Sequence, residues 1–235
     1  MSALLTDVPA RALAVYAHPD DPEVACGATL AHWAAAGSEV RLVVVNAGDK
    51  GSADPATDPA ALSERRAAEV HAAVGVLGLA GVDLLGLPDG EAVNDLALRG
   101  RLVGLVRHHR PEVVVCPDPT AVFFGDSYVN HRDHREVGWA VLDAVAPAAA
   151  RPLYFPDAGP PHQVGALLLS GSLQADAWVD VAGAVEAKIA AVACHESRMG
   201  GDPALVAELL RARMAETGAQ AGVDHAESFR RLRFG

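Results

Sequence analysis

Two short segments of this chain carry residue types suited to hydrolytic chemistry. The first is Ala17-His18-Pro19-Asp20-Asp21-Pro22-Glu23. An imidazole beside two carboxylates can ligate a borderline divalent cation and still leave one carboxylate free to handle protons. Adjacent aspartates in a bent loop diverge, so Asp20 and Asp21 can take different tasks. The bland alternative is a helix N-cap, with Asp21 capping and Glu23 at the favourable end of the dipole. Capping accounts for one aspartate, but not for His-Pro-Asp-Asp at the end of an apolar run. The second segment is Tyr128-Val129-Asn130-His131-Arg132-Asp133-His134. His131 and His134 are three apart, so on a first helical turn they share a face. Such a pair supplies the missing third ligand and a spare imidazole. Three N/O ligands and an open position describe a catalytic zinc site, although ligand type alone also admits Fe(II) or another divalent metal.

The elements that must hold these segments follow from hydrophobic patterning. Leu13–Ala17 is an apolar run of buried-strand type, followed by helical spacing from about Pro22 to Ala36 and a closing Gly37. Val40–Val45 is a β-branched strand. A Gly/Asp/Pro-rich loop from Ala47 to about Pro59 leads to a helix over Ala60–Leu77, closed by Gly78. A strand at Val82–Leu85, a helix at Asp95–His109 and a strand at Glu112–Cys116 come next. Helical spacing returns over Val137–Val145, just after the histidine pair. Strands at Ala166–Leu169 and Ala177–Val181 precede helices at Ala184–His195 and Ala204–Thr217. This alternation predicts a Rossmann-like α/β fold, a mostly parallel sheet with helices on both faces. The first segment then lies outside the carboxyl end of a strand, where open sheets bind ligands. With no repeat and no linker, residues 1–235 read as a single domain. The Pro-rich patches Ala53–Pro59 and Pro152–Pro161 read as long surface loops, both candidates for lining a site.

Composition narrows the function classes. At 51% apolar and 21% charged residues the chain is globular in type, and a net charge of −11 opposes a nucleic-acid partner. Cys26, Cys116 and Cys194 are isolated, which fits reduced thiols and a cytoplasmic setting. The N-terminal stretch has no basic region or long apolar run, so neither a secretory signal nor a membrane span is expected. A homo-oligomer is compatible with the composition. His32, His71, His108 and His109 sit on predicted helices without partners and read as surface or satisfied histidines and not as ligands. Cys26 reads as a small buried thiol, and His195 as a helix-end residue favoured by the dipole.

The string AHPDDPE, the later NHRDH and their spacing resemble the PIG-L/LmbE-like family of zinc-dependent N-deacetylases, which act on N-acetylglucosaminyl compounds. Weaker correspondences extend over nearly the whole chain: Arg66-Ala67-Ala68-Glu69, Leu87-Pro88-Asp89-Gly90, Asp118-Pro119, and Lys188 with Ala193-Cys194-His195-Glu196-Ser197. The resemblance implies that His18, Asp21 and His134 ligate zinc and that Asp20 is the general base. It implies that His131 polarises or protonates at the reacting carbonyl. It also implies that Arg66 and Asp89 contact the sugar and that Asp118 orients a metal-binding histidine. Tyr128 sits three residues before His131 where the mycothiol-pathway deacetylase has its tyrosine two before, so that enzyme's tyrosine role does not transfer. The implied reaction removes an acyl group, expected to be acetyl, from an N-acetylglucosamine-type amino sugar or its conjugate. Two rivals remain. One is an amidase acting on a thiol conjugate or natural-product precursor. The other is a non-catalytic, metal-containing carbohydrate-binding protein, which would need neither a free carboxylate nor a spare imidazole.

Overall fold

The computed structural model describes residues 3–198 and 202–234; Met1 and Ser2 of the N-terminal stretch lie outside it. The strands are β1 (Ala3–Leu4), β2 (Arg11–Tyr16), β3 (Glu39–Asn46), β4 (Gly81–Leu87), β5 (Val113–Pro117), β6 (Phe123–Phe124), β7 (Tyr128–Val129), β8 (Ala166–Ser170), β9 (Ala177–Asp180) and β10 (Ala226–Arg233). The helices are α1 (Asp21–Ala35), α2 (Pro59–Leu77), α3 (Leu96–His109), α4 (Arg132–Asp143), α5 (Val185–Ala193) and α6 (Pro203–Ala221). Eight strands form one sheet in the order β1-β9-β10-β8-β5-β2-β3-β4, parallel except at β10, which runs against both neighbours. The expected mostly parallel α/β fold is therefore present. β6 and β7 form a separate antiparallel hairpin.

Alternation along each strand divides the core in two. Ala12, Ala14 and Tyr16 of β2, with Leu42 and Val44 of β3, pack under α1, α2, α5 and α6. Leu13 and Val15, with Val43 and Val45, pack against α3 and α4 on the other face. Burial on both faces is why these strands are continuous apolar runs. β2 pairs with β3 on one side and β5 on the other. The chain leaves β2 toward β3 and β4, then crosses back to β5, so the strand order reverses beside β2. That reversal opens a crevice at the carboxyl ends of β2 and β5.

Two features depart from the simple pattern. α1 is broken at Cys26 (φ −149°, ψ 20°). The freed amides of Ala28 and Thr29 donate to the Glu227 carboxylate at 3.3 and 2.7 Å. Lys188 Nζ donates to the same carboxylate at 2.6 Å and to the Val24 carbonyl at 2.9 Å. A side chain from β10 thus caps the second half of the helix that carries the first motif, satisfying donors that would otherwise be orphaned. Second, the Pro152–Pro161 loop does not line the crevice. Arg107 on α3, 2% exposed, donates to the carbonyls of Ala148, Ala149, Arg151, Tyr154, Phe155 and Gly159 and ties the loop to α3. A planar guanidinium with five N–H groups can saturate such a turn of carbonyls, so this loop is a structural wrap.

Candidate metal centre

His18 follows β2 in the crevice, and Asp21 opens α1 three residues later. The backbone N–H of His18 donates to Asp21 Oδ2 at 2.7 Å and sets that carboxylate facing the ring. His134 arrives from the first turn of α4, 116 residues after His18. His18 Nδ1, His134 Nε2 and Asp21 Oδ2 form a nearly equilateral triangle, with sides of 3.1, 3.2 and 3.2 Å. Tetrahedral ligands about 2.0–2.1 Å from a cation lie about 3.3 Å from one another, so the triangle has the dimensions of one face of such a site. Two imidazole nitrogens and a carboxylate are a fitting donor set for zinc or a similar divalent ion.

The charges agree. Burial opposes a positive His18, but hydrogen bonds to Asp133, Asp21 and Asp89 outweigh it and push its pKa up to about 12. Burial also opposes a charged Asp21, yet the two imidazoles hold it well below the usual carboxylate range. Both shifts have one cause, the close packing of imidazoles against the carboxylates of Asp21, Asp89 and Asp133.

Around the triangle the structure supplies the orienting groups. His18 Nε2 lies 3.0 Å from Asp89 Oδ1 and 3.2 Å from Asp133 Oδ2. Asp133 is fully buried and accepts from the amides of Gly90 and Ala92 at 2.7 and 3.2 Å. His134 Nδ1 donates to Asn130 Oδ1 at 3.0 Å. These contacts fix which nitrogen of each ring faces the triangle. The orienting role assigned to Asp118 from the sequence is not where the structure puts it. Asp118 accepts from the amide and hydroxyl of Thr120 at 2.8 and 2.6 Å, a local turn, while Asn130 holds His134. Asp89, expected at the sugar, spends one oxygen on His18. A carboxylate between two histidines on one helical turn, and an Asn four residues before His134, were the signals available in the sequence. Asp133→Asn is expected to weaken metal binding about 10–100-fold. Calorimetric titration of the metal-free variant with zinc checks this, and unchanged affinity would refute the orienting role.

Asp20 is not consumed as a cap. It stands at the N-cap position of α1 without a side-chain cap bond, faces the crevice, and its nearest ion-pair partner is Arg198 at 3.7 Å. His131 caps α4 instead, its Nδ1 accepting the Asp133 amide at 3.2 Å, which leaves the proton on Nε2. Burial and the neighbouring His18 lower its pKa, and with Nδ1 accepting the Asp133 amide the N–H is on Nε2. Asp20, His131, Arg66, Asp89, Lys50 and Arg198 all line one cavity of about 530 Å³ beside the triangle, joined by Ser52 and Ala53 of the first Pro-rich loop. Arg66, 3% exposed, donates to the Gly51 carbonyl at 3.3 Å. It threads beneath Gly48, whose φ of +69° and approach to the guanidinium leave no room for a Cβ.

The closing motif serves support. His195, expected as a helix-end residue favoured by the dipole, is buried with Nε2 3.2 Å from Glu23 Oε2. Glu69 accepts from the Ser197 amide and hydroxyl at 2.8 and 2.6 Å, which anchors the segment bearing Arg198. Cys26 is buried, and desolvation pushes its thiol pKa well up, the state of an inert core cysteine.

A mostly parallel sheet with a His/Asp/His triangle and a free carboxylate at its switch point is the arrangement of a metal-dependent hydrolase. The chain belongs to the PIG-L family: residues 13–145 match the family described as GlcNAc-PI de-N-acetylase. It is 28% identical over 195 residues to the diacetylchitobiose deacetylase of Thermococcus kodakarensis, covering 82% of this chain and 71% of that protein. It is 32% identical over 174 residues to the 1D-myo-inositol 2-acetamido-2-deoxy-alpha-D-glucopyranoside deacetylase of Kineococcus radiotolerans, covering 61% of this chain and 46% of that longer protein. The N,N'-diacetylchitobiose deacetylase of Pyrococcus horikoshii superposes with a TM-score of 0.86 at 24% identity, over 97% of this chain and 88% of that one, a likeness of fold.

Proposed function

We propose that this chain is a zinc-dependent N-deacetylase of N-acetylglucosamine-type amino sugars or their conjugates, acting as a single domain on a small molecule. The carrying observation is that Asp20 and His131 face the same cavity as the His18–Asp21–His134 triangle without belonging to it. A non-catalytic binding protein has no use for either. When bound, the divalent ion supplies Lewis acidity toward water and the amide carbonyl. Asp20 accepts a proton from the attacking water. His131, its Nδ1 engaged by the Asp133 amide, directs its Nε2–H at the carbonyl oxygen as negative charge develops there. The proton taken by Asp20 then passes to the leaving nitrogen, giving a carboxylate and a free amine. Arg66 and Lys50 supply donors for sugar hydroxyls on the polar side of the cavity. No helix among the described residues is long and apolar enough to cross a membrane.

The test is a panel of N-acetylated amino sugars and conjugates, read by release of free amine before and after exhaustive chelation and after zinc is restored. Hydrolysis that is lost on chelation and returns with zinc is the expected result. Full activity after chelation would overturn the metal-dependent reading.

A further inference from the structure

The cavity holding Asp20 and His131 has a neighbour. Across the Asp21–His134 edge lies a second cavity of about 410 Å³, walled mainly by Tyr16, Val24, Ala25, Pro117, Phe124 and Tyr128. Asp21, Val24, Tyr128 and His134 line both, so the two spaces meet at the triangle. A further space of about 240 Å³ continues from the second cavity past Ala25 and Phe124 to Leu210 and Met214 of α6. The hydroxyls of Tyr16 and Ser170 are bonded to each other at 2.8 Å, and Oδ1 of Asp118 accepts from the amide and hydroxyl of Thr120. Of the rest, Val24, Ala25, Pro117 and Phe124 present hydrocarbon, Asn130 is engaged by the Ala121 carbonyl and His134, and Arg213 stands at the end shared with the further space.

An amide is planar and normally trans, so its two halves leave the carbonyl in opposite directions. The first cavity, with Lys50, Arg66, Asp89 and Arg198, matches a hydroxyl-rich amine half. The acyl half then points across the Asp21–His134 edge. A methyl group is about the size of a water, for which roughly 10–15 Å³ of such space suffices. Acetyl would leave nearly all of the second cavity unfilled.

Resting on the N-deacylase reading above, we propose that the second cavity is an acyl subsite that admits uncharged N-acyl chains of roughly four to eight carbons. Each methylene buried there adds up to about fourfold in kcat/KM, since its transfer from water is worth about 0.8 kcal/mol. The zinc-loaded protein is assayed with N-acetyl-, N-butanoyl-, N-hexanoyl- and N-octanoyl-glucosamine by release of glucosamine. The same series is run on Ala25→Phe, which fills the passage, and on Phe124→Ala, a hairpin variant that removes a wall without touching the sheet. The expected result is a kcat/KM that rises at least tenfold from acetyl to hexanoyl, with that ratio falling at least tenfold in Ala25→Phe and severalfold in Phe124→Ala. Rates that fall beyond acetyl would overturn the acyl subsite and leave the deacetylase reading standing. A rise that survives both variants, with metal content and circular dichroism intact, would place the chain elsewhere and also overturn it. No release from any member by the zinc-loaded protein would count against the amino-sugar reading itself.

Discussion

Replacing His134 with alanine is expected to leave the chain folded, remove stoichiometric metal and reduce amide hydrolysis to background. The ring is partly exposed at the crevice, so its loss opens no buried void. What it removes is one of three donors set 3.1–3.2 Å apart, and two donors do not hold a catalytic zinc. Asp21→Ala should do the same with an added stability cost of about 1–3 kcal/mol, because the His18 amide loses its acceptor. His32→Ala and His108→Ala should keep about one metal per chain. Elemental analysis beside single-turnover hydrolysis decides. The structure also frames the failure: His18, Asp89, His131 and Asp133 form a second potential ligand group around the same imidazole. Stoichiometric metal in His134→Ala would move the site there.

Asp20→Asn should behave in the opposite way. Metal content, folding and substrate affinity should stay near wild type while hydrolysis falls about 10²–10⁴-fold, the usual contribution of a general acid–base group. The substitution keeps the shape and removes the carboxylate proposed as the base. The contact it weakens, to a largely exposed Arg198 at 3.7 Å, is worth little. His131→Ala should also slow turnover with metal retained, since its Nδ1 caps α4 and stands outside the triangle. The double variant should lose less than the product of the two effects if both residues serve one transition state. Loss of metal in Asp20→Asn would mean that the two aspartates are exchanged in role.

The parallel core was legible because burial on both faces leaves little freedom: Leu13–Ala17 and Val40–Val45 are near-continuous apolar runs. β10 was not, because its sequence AESFRRLR interleaves one carboxylate and three guanidiniums with Phe229 and Leu232. Only its placement between β8 and β9 explains the charges, with Glu227 turned inward to α1. The break at Cys26 was hidden for the same reason, since the cap that permits it comes from a distant strand. At the site, spacing and residue type marked the segments that converge, and the resemblance supplied the division of roles proposed here. The partners of the imidazoles were another matter. Asp133 and Asn130 owe their positions to the turn that His131 caps, whereas Asp118 looked equivalent in the sequence and is spent on Thr120. A hydrogen-bond partner is a property of geometry, and residue type alone constrains it weakly.

The Glu227 cap has a consequence for how the protein is made. The first motif emerges early from the ribosome, but the amide of Thr29 in the helix behind it waits for a carboxylate 198 residues later. His195 and Lys188 are late arrivals as well. The cap that accompanies the break of α1 at Cys26 therefore cannot close on a growing chain before β10 is made. Because those contacts span so much of the chain, their closure is also entropically slow. The helix that carries the first motif is thus completed by the last strand of the sheet to be made.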